Sequence, residues 1–599
     1  MPILNTKEVL LTSLKRPINI SCIVLSITII LFSAFLFHFN KMGVIIYTLL
    51  LSAIVMFLSS LIENNNKDNH SISIRNPIIL LMPMVIVFIG FSLYTKDIIN
   101  YFNFSPLWAV DELNRWHQDS AFNISLIRGI INWGYPTVGL NGHPLSTYHV
   151  LSHYVDAALL TISGLDPYES YGFTSLVKSC FYTYLIFILL YKRSQNSRNG
   201  IVLFFVASPL IIASWHAMIS HALWFTSYIV IASSSFVYNV LTSNNRTSWQ
   251  EYIKLTCICL ILSAGKISTG LSFTCIIFAS LIFKEYKNKL FYISAIVALI
   301  FFALYQKFIN YSYGIGSNIE LSNISVKNIL NAFSTPKYSS VMLFMAVILY
   351  LSSKVLSLKA VKRVSFGIFS SYITIILINT SFTSFNINDR YYFYYGVYSI
   401  SILLVINSFI DAIKNDDSNV QASLHTNKNR VIVYCLLSIL SFFIYQPLVS
   451  LSTLSTFRSK EISEQKSVIY QLIGEMKMKD TNGKLYNLVS FTNKVLQING
   501  VNKSDVALFI PKDIINNQII KPDEMREKFY TMNIFAATGV QLINGFINGG
   551  RAYGLANYTD DSKPTNSIDM DSICKKMKLK GVITVLDYNS SKFNYRACN

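Results

Sequence analysis

The chain has 599 residues, of which 52% are hydrophobic and only 14% are charged. This charged fraction is about half that of an ordinary soluble protein. The formal net charge of +19 would suit a nucleic-acid binder, but the lysines and arginines lie in short patches between long apolar runs. That distribution is the positive-inside pattern of membrane proteins, so it favours membrane lipids as partners and argues against nucleic acid.

Apolar runs of the length that a bilayer requires, about 20 residues, recur through the first part of the chain. Single crossings are predicted near 17–38, 43–62, 77–94, 172–191, 201–218, 221–241, 288–306, 339–357, 364–382, 393–412 and 431–451. The first run follows a short basic segment and is predicted to be an uncleaved signal anchor.

The stretch 252–283 is apolar but is interrupted near its middle by Gly265, Lys266 and Gly270. A single crossing would put its two polar flanks on opposite sides of the membrane. We therefore predict two short helices that meet in a bend at Lys266, and a polytopic α-helical fold with about 13 crossings.

The short basic loops indicate that the N-terminus is cytoplasmic, because lysine and arginine accumulate in cytoplasmic loops. This orientation puts the long loops 95–171 and 307–338 outside the cytoplasm. The predicted domains are a transmembrane domain over 1–454 and a soluble extracytoplasmic α/β domain over 455–599.

Two apolar segments of this soluble domain, 506–511 and 581–586, are predicted to be buried strands. Residues 572–580 are predicted to form a helix with Gly581 as its C-cap. The preceding Asp-Met-Asp of 569–571 looks like the Asp-x-Asp of nucleotide-sugar transferases. We interpret it as structural, because acids stabilise the start of a helix.

Two cysteines, Cys574 and Cys598, lie outside the apolar runs, and both fall in the domain predicted to be extracytoplasmic. An oxidising compartment favours a disulfide between them. The alternative is two unrelated thiols. The sequence contains no Cys-x-x-Cys pair and no zinc-finger spacing.

The loop 95–171 has the strongest candidate for chemistry. Apolar residues recur with helical spacing at Phe122, Leu126, Ile130 and Trp133. Gly134 ends this predicted helix. Asp119 lies just before the start of the helix and is predicted to be its N-cap. A carboxylate at an N-cap can also act as a catalytic base, so the two roles are compatible.

This loop resembles that of GT-C membrane glycosyltransferases, which include lipid A aminoarabinose transferases, protein O-mannosyltransferases and oligosaccharyltransferases. The class has an acidic residue, a short helix that ends in glycine, and a Gly-x-Pro segment with an aromatic residue. Asp119, Gly134, the Gly-His-Pro of 142–144 and Tyr148 match that order. Ser120 departs from the pattern, because many members carry a second acid there, and this argues against a metal-dependent version.

The resemblance implies transfer of a sugar from a polyprenyl-phosphate carrier, with Asp119 as the base that takes a proton from the acceptor hydroxyl. The departing phosphate needs fixed cations, for which Arg390 and Lys266 are the candidates. Their alternatives are an interfacial arginine and a lysine at a solvated bend. Asp111 and Glu112 are alternative acids.

Four further residues of the loop are predicted to contact the substrate: His143, Tyr148, His149 and His153. The spacing of His149, His153 and Asp156 also suits a zinc site that His143 would complete. We favour substrate binding, with no required cofactor. A divalent cation stays open as an alternative.

The predicted function is therefore transfer of a sugar to a glycan, lipid or protein acceptor at the outer face of a bacterial cytoplasmic membrane. One alternative enzyme is a polysaccharide polymerase or ligase, which shares the donor chemistry without needing an aspartate base. The alternative from another class is a transporter or flippase of lipid-linked glycans.

Overall fold

The computed structural model describes nine longer segments of the chain and ten further residues. The segments are 40–62, 118–139, 150–193, 223–311, 361–381, 400–411, 483–519, 530–543 and 565–598. The further residues are 22, 25–27, 29–30, 203–204, 347 and 350. The predicted crossings near 77–94 and 431–451, and nearly all of those near 17–38, 201–218 and 339–357, lie outside the described residues.

Most of the described chain is helical. The helices before the C-terminal domain are α1 (Lys41–Leu61), α2 (Gln118–Trp133), α3 (Leu151–Ser163), α4 (Tyr171–Arg193), α5 (Trp224–Thr242), α6 (Trp249–Gly265), α7 (Ile267–Glu285), α8 (Lys289–Tyr311), α9 (Val361–Ser381) and α10 (Ile400–Asp411). Within the described part of the chain, four segments are long and apolar enough to cross a membrane: Lys41–Leu61, Tyr171–Arg193, Trp224–Thr242 and Ser268–Glu285. The protein is thus consistent with a membrane protein, and the count of about 13 crossings stays a prediction.

Side-chain caps mark where two of these helices begin. Asn40 accepts a hydrogen bond from the backbone N–H of Gly43 at the start of α1, at 3.1 Å. At the start of α6, Ser248 and Glu251 each bond the other's backbone N–H in a capping box. Such caps satisfy backbone donors that have no partner inside the helix.

The predicted hairpin in 252–283 is confirmed. α6 and α7 meet at Lys266, and close to the bend Gly270 packs directly against Ser263. At the far ends of the two helices, the backbone N–H of Thr247 donates to Glu285 Oε1 at 2.7 Å. The two helices are therefore antiparallel along their whole length, and both polar flanks lie at one end of the bundle.

Basic side chains join several other helix ends at that same end of the bundle. Lys192 Nζ donates to the Ser59 carbonyl at 2.6 Å and so ties the end of α4 to that of α1. The next residue, Arg193, bonds Asn239 of α5 at 2.6 Å and Asp411 of α10 at 3.0 Å. We call this the basic end, and it gathers ends that the sequence predicts to share one side of the membrane.

Two more basic residues, Lys284 and Arg363, bond backbone carbonyls where α5 ends. Lys284 Nζ lies 3.4 Å from the Val240 carbonyl, and Arg363 Nη1 lies 3.0 Å from that of Ser243. These contacts bring the end of α7 and the start of α9 to the basic end. A cation near a helix C-terminus also interacts favourably with the helix dipole.

The opposite end of the bundle contacts the C-terminal domain. There the start of α1 packs at Gly43 against Leu165, just after α3, and the bend of the hairpin packs at Gly265 against Thr226 of α5. Tyr171, the first residue of α4, lies in the same hydrophobic cluster as the core of the C-terminal domain. We call this the domain end.

The C-terminal domain is an α/β unit built on a four-stranded sheet. Its elements are α11 (Lys484–Asn499), β1 (Val506–Phe509), the short turns Lys512–Ile514 and Ile515–Ile519, α12 (Tyr530–Thr538), β2 (Gln541–Leu542), α13 (Met570–Met577), β3 (Gly581–Asp587) and β4 (Lys592–Ala597). The strand order is β2-β1-β3-β4, with β1 parallel to both of its neighbours and β4 antiparallel to β3. Leu508 of β1 pairs with Ile583 of β3, so the two predicted strands are adjacent in the sheet.

The predicted helix before β3 is shifted. It runs over Met570–Met577 and ends at Lys578, which has the left-handed φ of 53°. Gly581 is the first residue of β3, so its predicted role as a C-cap is wrong. Its lack of a side chain lets the ring of Tyr595 on β4 lie directly over it. The connection between α13 and β3 is therefore three residues longer than predicted, because the pairing of β3 with β4 fixes where β3 begins.

The structural interpretation of residues 569–571 is confirmed. Asp569 is the N-cap of α13 and accepts a hydrogen bond from Ser572 N at 3.4 Å. Asp571 pairs with Arg596 of β4 at 3.1 Å. Both carboxylates therefore have structural partners within the domain.

The predicted disulfide between Cys574 of α13 and Cys598 just after β4 is present, and its Cα atoms are 5.7 Å apart. The two cysteines are 24 residues apart, and the bond encloses the whole β3–β4 hairpin because one cysteine precedes β3 and the other follows β4. By the loop-entropy model a closed loop of this length stabilises a fold by about 3 kcal/mol.

Replacing Cys598 with Ser should therefore lower the free energy of unfolding of the C-terminal domain by about 3 kcal/mol. Hydrogen exchange of β3 peptides in the full-length protein measures this change. Cys257→Ser is the matched control, because Cys257 is an exposed free cysteine. Free thiols at 574 and 598 in protein from an exporting host would contradict the bridge.

The arrangement of the two ends makes a topology prediction. A cysteine placed at the exposed Ser590 of the C-terminal domain should react with an impermeant maleimide in intact cells. One placed at the exposed Asn245, at the basic end, should react only after permeabilisation. Both are tested in a background without the free native cysteines. The reverse labelling pattern would overturn the predicted orientation.

Candidate functional site

Asp119 lies within helix α2, whose described residues begin at Gln118. The prediction that Asp119 precedes the helix as its N-cap is therefore wrong. The helix starts earlier than the apolar stripe suggests, because its first turn carries polar residues that periodicity does not detect. The predicted end is confirmed, since Gly134 has a φ of 78° and its N–H donates to the Ile130 carbonyl at 2.9 Å.

The packing of α2 on α3 brings two of the predicted site residues near each other. Asp119 lies one turn before Asn123, and residues four apart share one face of a helix. Asn123 Oδ1 lies 2.9 Å from Nε2 of the buried His153 on α3. The structure thus places the helix turn of Asp119 and Asn123, together with His153, at the domain end of the bundle.

Three residues after His153, α3 contributes Asp156 to a buried ion pair. Lys178 Nζ of α4 lies 2.7 Å from Asp156 Oδ1 of α3, and the two side chains are 0% and 1% exposed. Trp224 Nε1 of α5 donates to Asp156 Oδ2 at 3.1 Å, and the Lys178 ammonium lies 5.0 Å from the centre of the same indole ring. Three helices therefore meet around one pair of opposite charges.

A fourth contact joins Tyr228 of α5 to the backbone of Lys178. The Tyr228 hydroxyl donates to the Lys178 carbonyl at 2.6 Å, and its ring packs edge-on against Trp224. Lys178 lies about 10 Å along α4 from the first residue of that helix. Charges at such depth are costly unless paired, so they mark functional or organising positions in membrane proteins.

Sequence reasoning overlooked Lys178, although a lysine inside the predicted crossing 172–191 was the signal for it. It considered Asp156 only as a metal ligand. The partner of a buried charge lies on another helix, and one sequence does not say which helix packs there.

Lys266 is buried at the bend between α6 and α7, with 4% of its surface exposed. The bend packs at Gly265 against Thr226, two residues from Trp224. Lys266 therefore lies at the domain end, on the same side of the bundle as the ion pair. Its burial argues against the alternative of a lysine at a solvated bend.

The proposed zinc ligands have other partners where the structure describes them. His153 bonds Asn123, and Asp156 bonds Lys178 and Trp224. Among the described residues there is no group of three metal-ligating side chains. His143, Tyr148, His149, Arg390, Asp111 and Glu112 lie outside the described residues.

The loop and the C-terminal domain share one hydrophobic core. Phe122 and Leu126 of α2 are fully buried in the cluster that also contains Ile534 and Phe535 of α12. The backbone N–H of Leu542 on β2 donates to the Gly139 carbonyl at 2.7 Å. The segment that carries Asp119 is thus part of the C-terminal domain's fold.

A scan against models of known protein families and a search of curated proteins found no match to this chain. The structure alone therefore defines its class. Over its described residues it is a mostly helical protein with four candidate membrane-spanning helices and a small C-terminal α/β domain.

Loss of one partner of the buried pair should be more damaging than loss of both. Lys178→Met leaves Asp156 buried without its cation, which should cost about 3–5 kcal/mol of stability. Adding Asp156→Asn should recover most of it. Thermal unfolding in detergent measures both, with Lys287→Met at an exposed position as the control. Equal stability of the single and double variants would show that the charges are not coupled.

Proposed function

We propose that this protein is a GT-C-like membrane glycosyltransferase that transfers a sugar from a polyprenyl-phosphate carrier to an acceptor outside the cytoplasm. One observation supports the proposal most. The helix that carries Asp119 lies between the bundle and the C-terminal domain, at the end opposite the basic helix ends. A lipid-linked donor reaches such a site with its tail in the bilayer and its sugar in water.

In this proposal Asp119 is the base that accepts the proton of the attacking hydroxyl. The leaving group is a phosphate, whose growing negative charge requires a cation nearby. Lys266 and Arg390 take that role, and the buried position of Lys266 at the domain end supports it. His143, Tyr148, His149 and His153 line the substrate site, and the acceptor is a glycan, lipid or protein.

The disulfide in the C-terminal domain supports the extracytoplasmic placement, because such bonds persist in oxidising compartments. The basic end supports it independently, since lysine and arginine accumulate at the cytoplasmic ends of helices. Together they favour a membrane protein whose C-terminal domain faces out of the cytoplasm, and the proposed function assigns it to a bacterial cytoplasmic membrane.

Asp119→Asn should lower transfer by about 100-fold to 10,000-fold, the usual contribution of a general base. The amide keeps the shape of the side chain but accepts no proton. Lipid-linked sugars and surface glycans are compared by mass spectrometry in cells that lack the protein and carry either form.

The matched control is Asp513→Asn, which changes an exposed carboxylate of the C-terminal domain. It should restore wild-type glycans. Full transfer by Asp119→Asn would remove Asp119 as the base and favour Asp111 or Glu112, or a polymerase or ligase that needs no aspartate base.

The buried pair of Lys178 and Asp156 favours a second candidate, a transporter or flippase of lipid-linked glycans. Ionisable groups inside a helix bundle commonly lie on transport pathways. A flippase leaves the composition of the lipid-linked glycan unchanged but moves it across the membrane. Loss of a transferase changes the composition, so the same mass spectra separate the two.

A further inference from the structure

The polar contact between α2 and the C-terminal domain comes from one face of α2. Ser125, Arg128 and Asn132 are spaced three and four residues apart, so their side chains project from the same side of the helix. All three donate hydrogen bonds to backbone carbonyls in or just after α12. The acceptors are Met532 at 3.1 Å from Ser125, Ala536 at 3.0 Å from Arg128, and Gly539 at 2.8 Å from Asn132.

Arg128 occupies a special position in this contact. Its guanidinium bonds the carbonyls of Ala536 and Ala537, at 3.0 and 3.3 Å, in the last turn of α12. Carbonyls in a last turn have no donor within their own helix. A cation there also opposes the negative end of the helix dipole. Arg128 is therefore the C-terminal cap of a helix in another part of the chain.

The same guanidinium joins a third segment. It pairs with Asp166, in the connection between α3 and α4, and Asp166 also accepts the backbone N–H groups of Tyr168 and Glu169. Burial alone would raise the pKa of Asp166, but Arg128 and Lys503 outweigh it and hold that pKa below its ordinary value. Asp166 is therefore charged at neutral pH and keeps Arg128 paired.

Lys503 of the C-terminal domain adds to the charge at this joint. Its side chain lies beside Gly539. Both Lys503 and Arg128 come within 4 Å of the position that a Cβ at Gly539 would occupy. Burial, and next the nearby Arg128, lower the pKa of Lys503 to about 8, against the opposing effect of Asp166 and Glu169. The joint thus brings two cations, Arg128 and Lys503, near the carboxylate of Asp166, and the Arg128 side chain is buried there.

The direction of this contact matters for Asp119. At about 100° of rotation per residue, Asn123 lies on the side of α2 that is turned away from Arg128, and Asp119 is one helical turn before Asn123. Asn123 contacts His153 of α3. The C-terminal domain therefore bonds one side of α2 and α3 bonds another, and Asp119 belongs to the helix held between them.

We infer that Arg128 is a positioning residue, and that the C-terminal domain, held by Arg128 on α2, sets the place of Asp119 over the bundle. The holding of the C-terminal domain on α2 by Arg128 rests on the observed contacts alone. Its effect on transfer rests on the proposed function, with Asp119 as the base.

The test compares Arg128→Gln with Arg128→Lys in the full-length protein. Arg128→Gln loses the positive charge and the forked donors of the guanidinium. Arg128→Lys keeps a positive charge beside Asp166. Hydrogen exchange in peptides of α2 and α12 should become on the order of tenfold faster in Arg128→Gln. Exchange in α5 should not change. Arg128→Lys should recover part of the protection.

Transfer provides the second readout. Arg128→Gln should lower kcat by on the order of tenfold while KM for the lipid-linked donor stays within about twofold, because Asp119 shifts and the donor contacts remain. Arg596→Gln, at an exposed arginine of the same domain, is the control. Asn132→Ala removes one bond of the same face and is the milder variant should Arg128→Gln not fold.

The outcomes separate the two proposals. Unchanged exchange in α2 would overturn the positioning role. Faster exchange with unchanged kcat would overturn the link between the domain and Asp119. A wild-type protein without transfer would overturn the proposed function, and the exchange data would then decide the mechanical inference alone.

Discussion

Helix α2 belongs to two hydrophobic cores at once, and the arrangement of the whole described structure depends on this. Phe122 and Leu126 pack into the C-terminal domain, whereas Ile127 and Ile130 pack into the bundle. The two cores cannot move apart without exposing one side of α2 to water. The C-terminal domain is thereby fixed to the helix bundle through a helix of sixteen residues. Apolar burial supplies the attraction, and the side-chain bonds to α12 determine the register.

Helix α4 organises the bundle in a comparable way. It carries two buried cations, Lys178 about 10 Å from its first residue and Arg193 at its last, each paired with a carboxylate on another helix. Along the helix the two are about 22 Å apart. An unpaired charge would be costly at either position, so the neighbouring helices are restricted to arrangements that supply Asp156 and Asp411. Charge pairing thus specifies which helices meet, while apolar packing alone would allow several arrangements.

Much of the architecture could be predicted because it depends on local patterns. The hairpin at Lys266, the two central strands, the helix that ends at Gly134 and the disulfide follow from runs of apolar residues, from glycine and from cysteine placement. The failures were at element ends. Asp119 lies inside α2, and Gly581 begins a strand, because the start of an element depends on tertiary pairing as well as on the local sequence.

The site was only partly predictable, for a related reason. Asp119 was selected by a resemblance, His153 by its spacing along the chain, and Lys266 as a charge in an apolar setting, and their roles stay predictions. Lys178 and its pairing with Asp156, and the capping of α12 by Arg128, were not recognised. Each joins residues of different helices: Lys178 and Asp156 are 22 residues apart, and Arg128 and Ala536 are 408 residues apart.

The sequence by itself therefore determined that the chain is apolar enough for a membrane, where most of the described helices lie, which loops are basic, and that the tail contains an α/β fold. These are properties of segments of about 20 residues or fewer. Only the tertiary structure decided that the loop and the tail share one core, and which buried charges pair. The physical reason is that the energy of a buried charge or an apolar face depends on what covers it, and the covering residues come from distant parts of the chain.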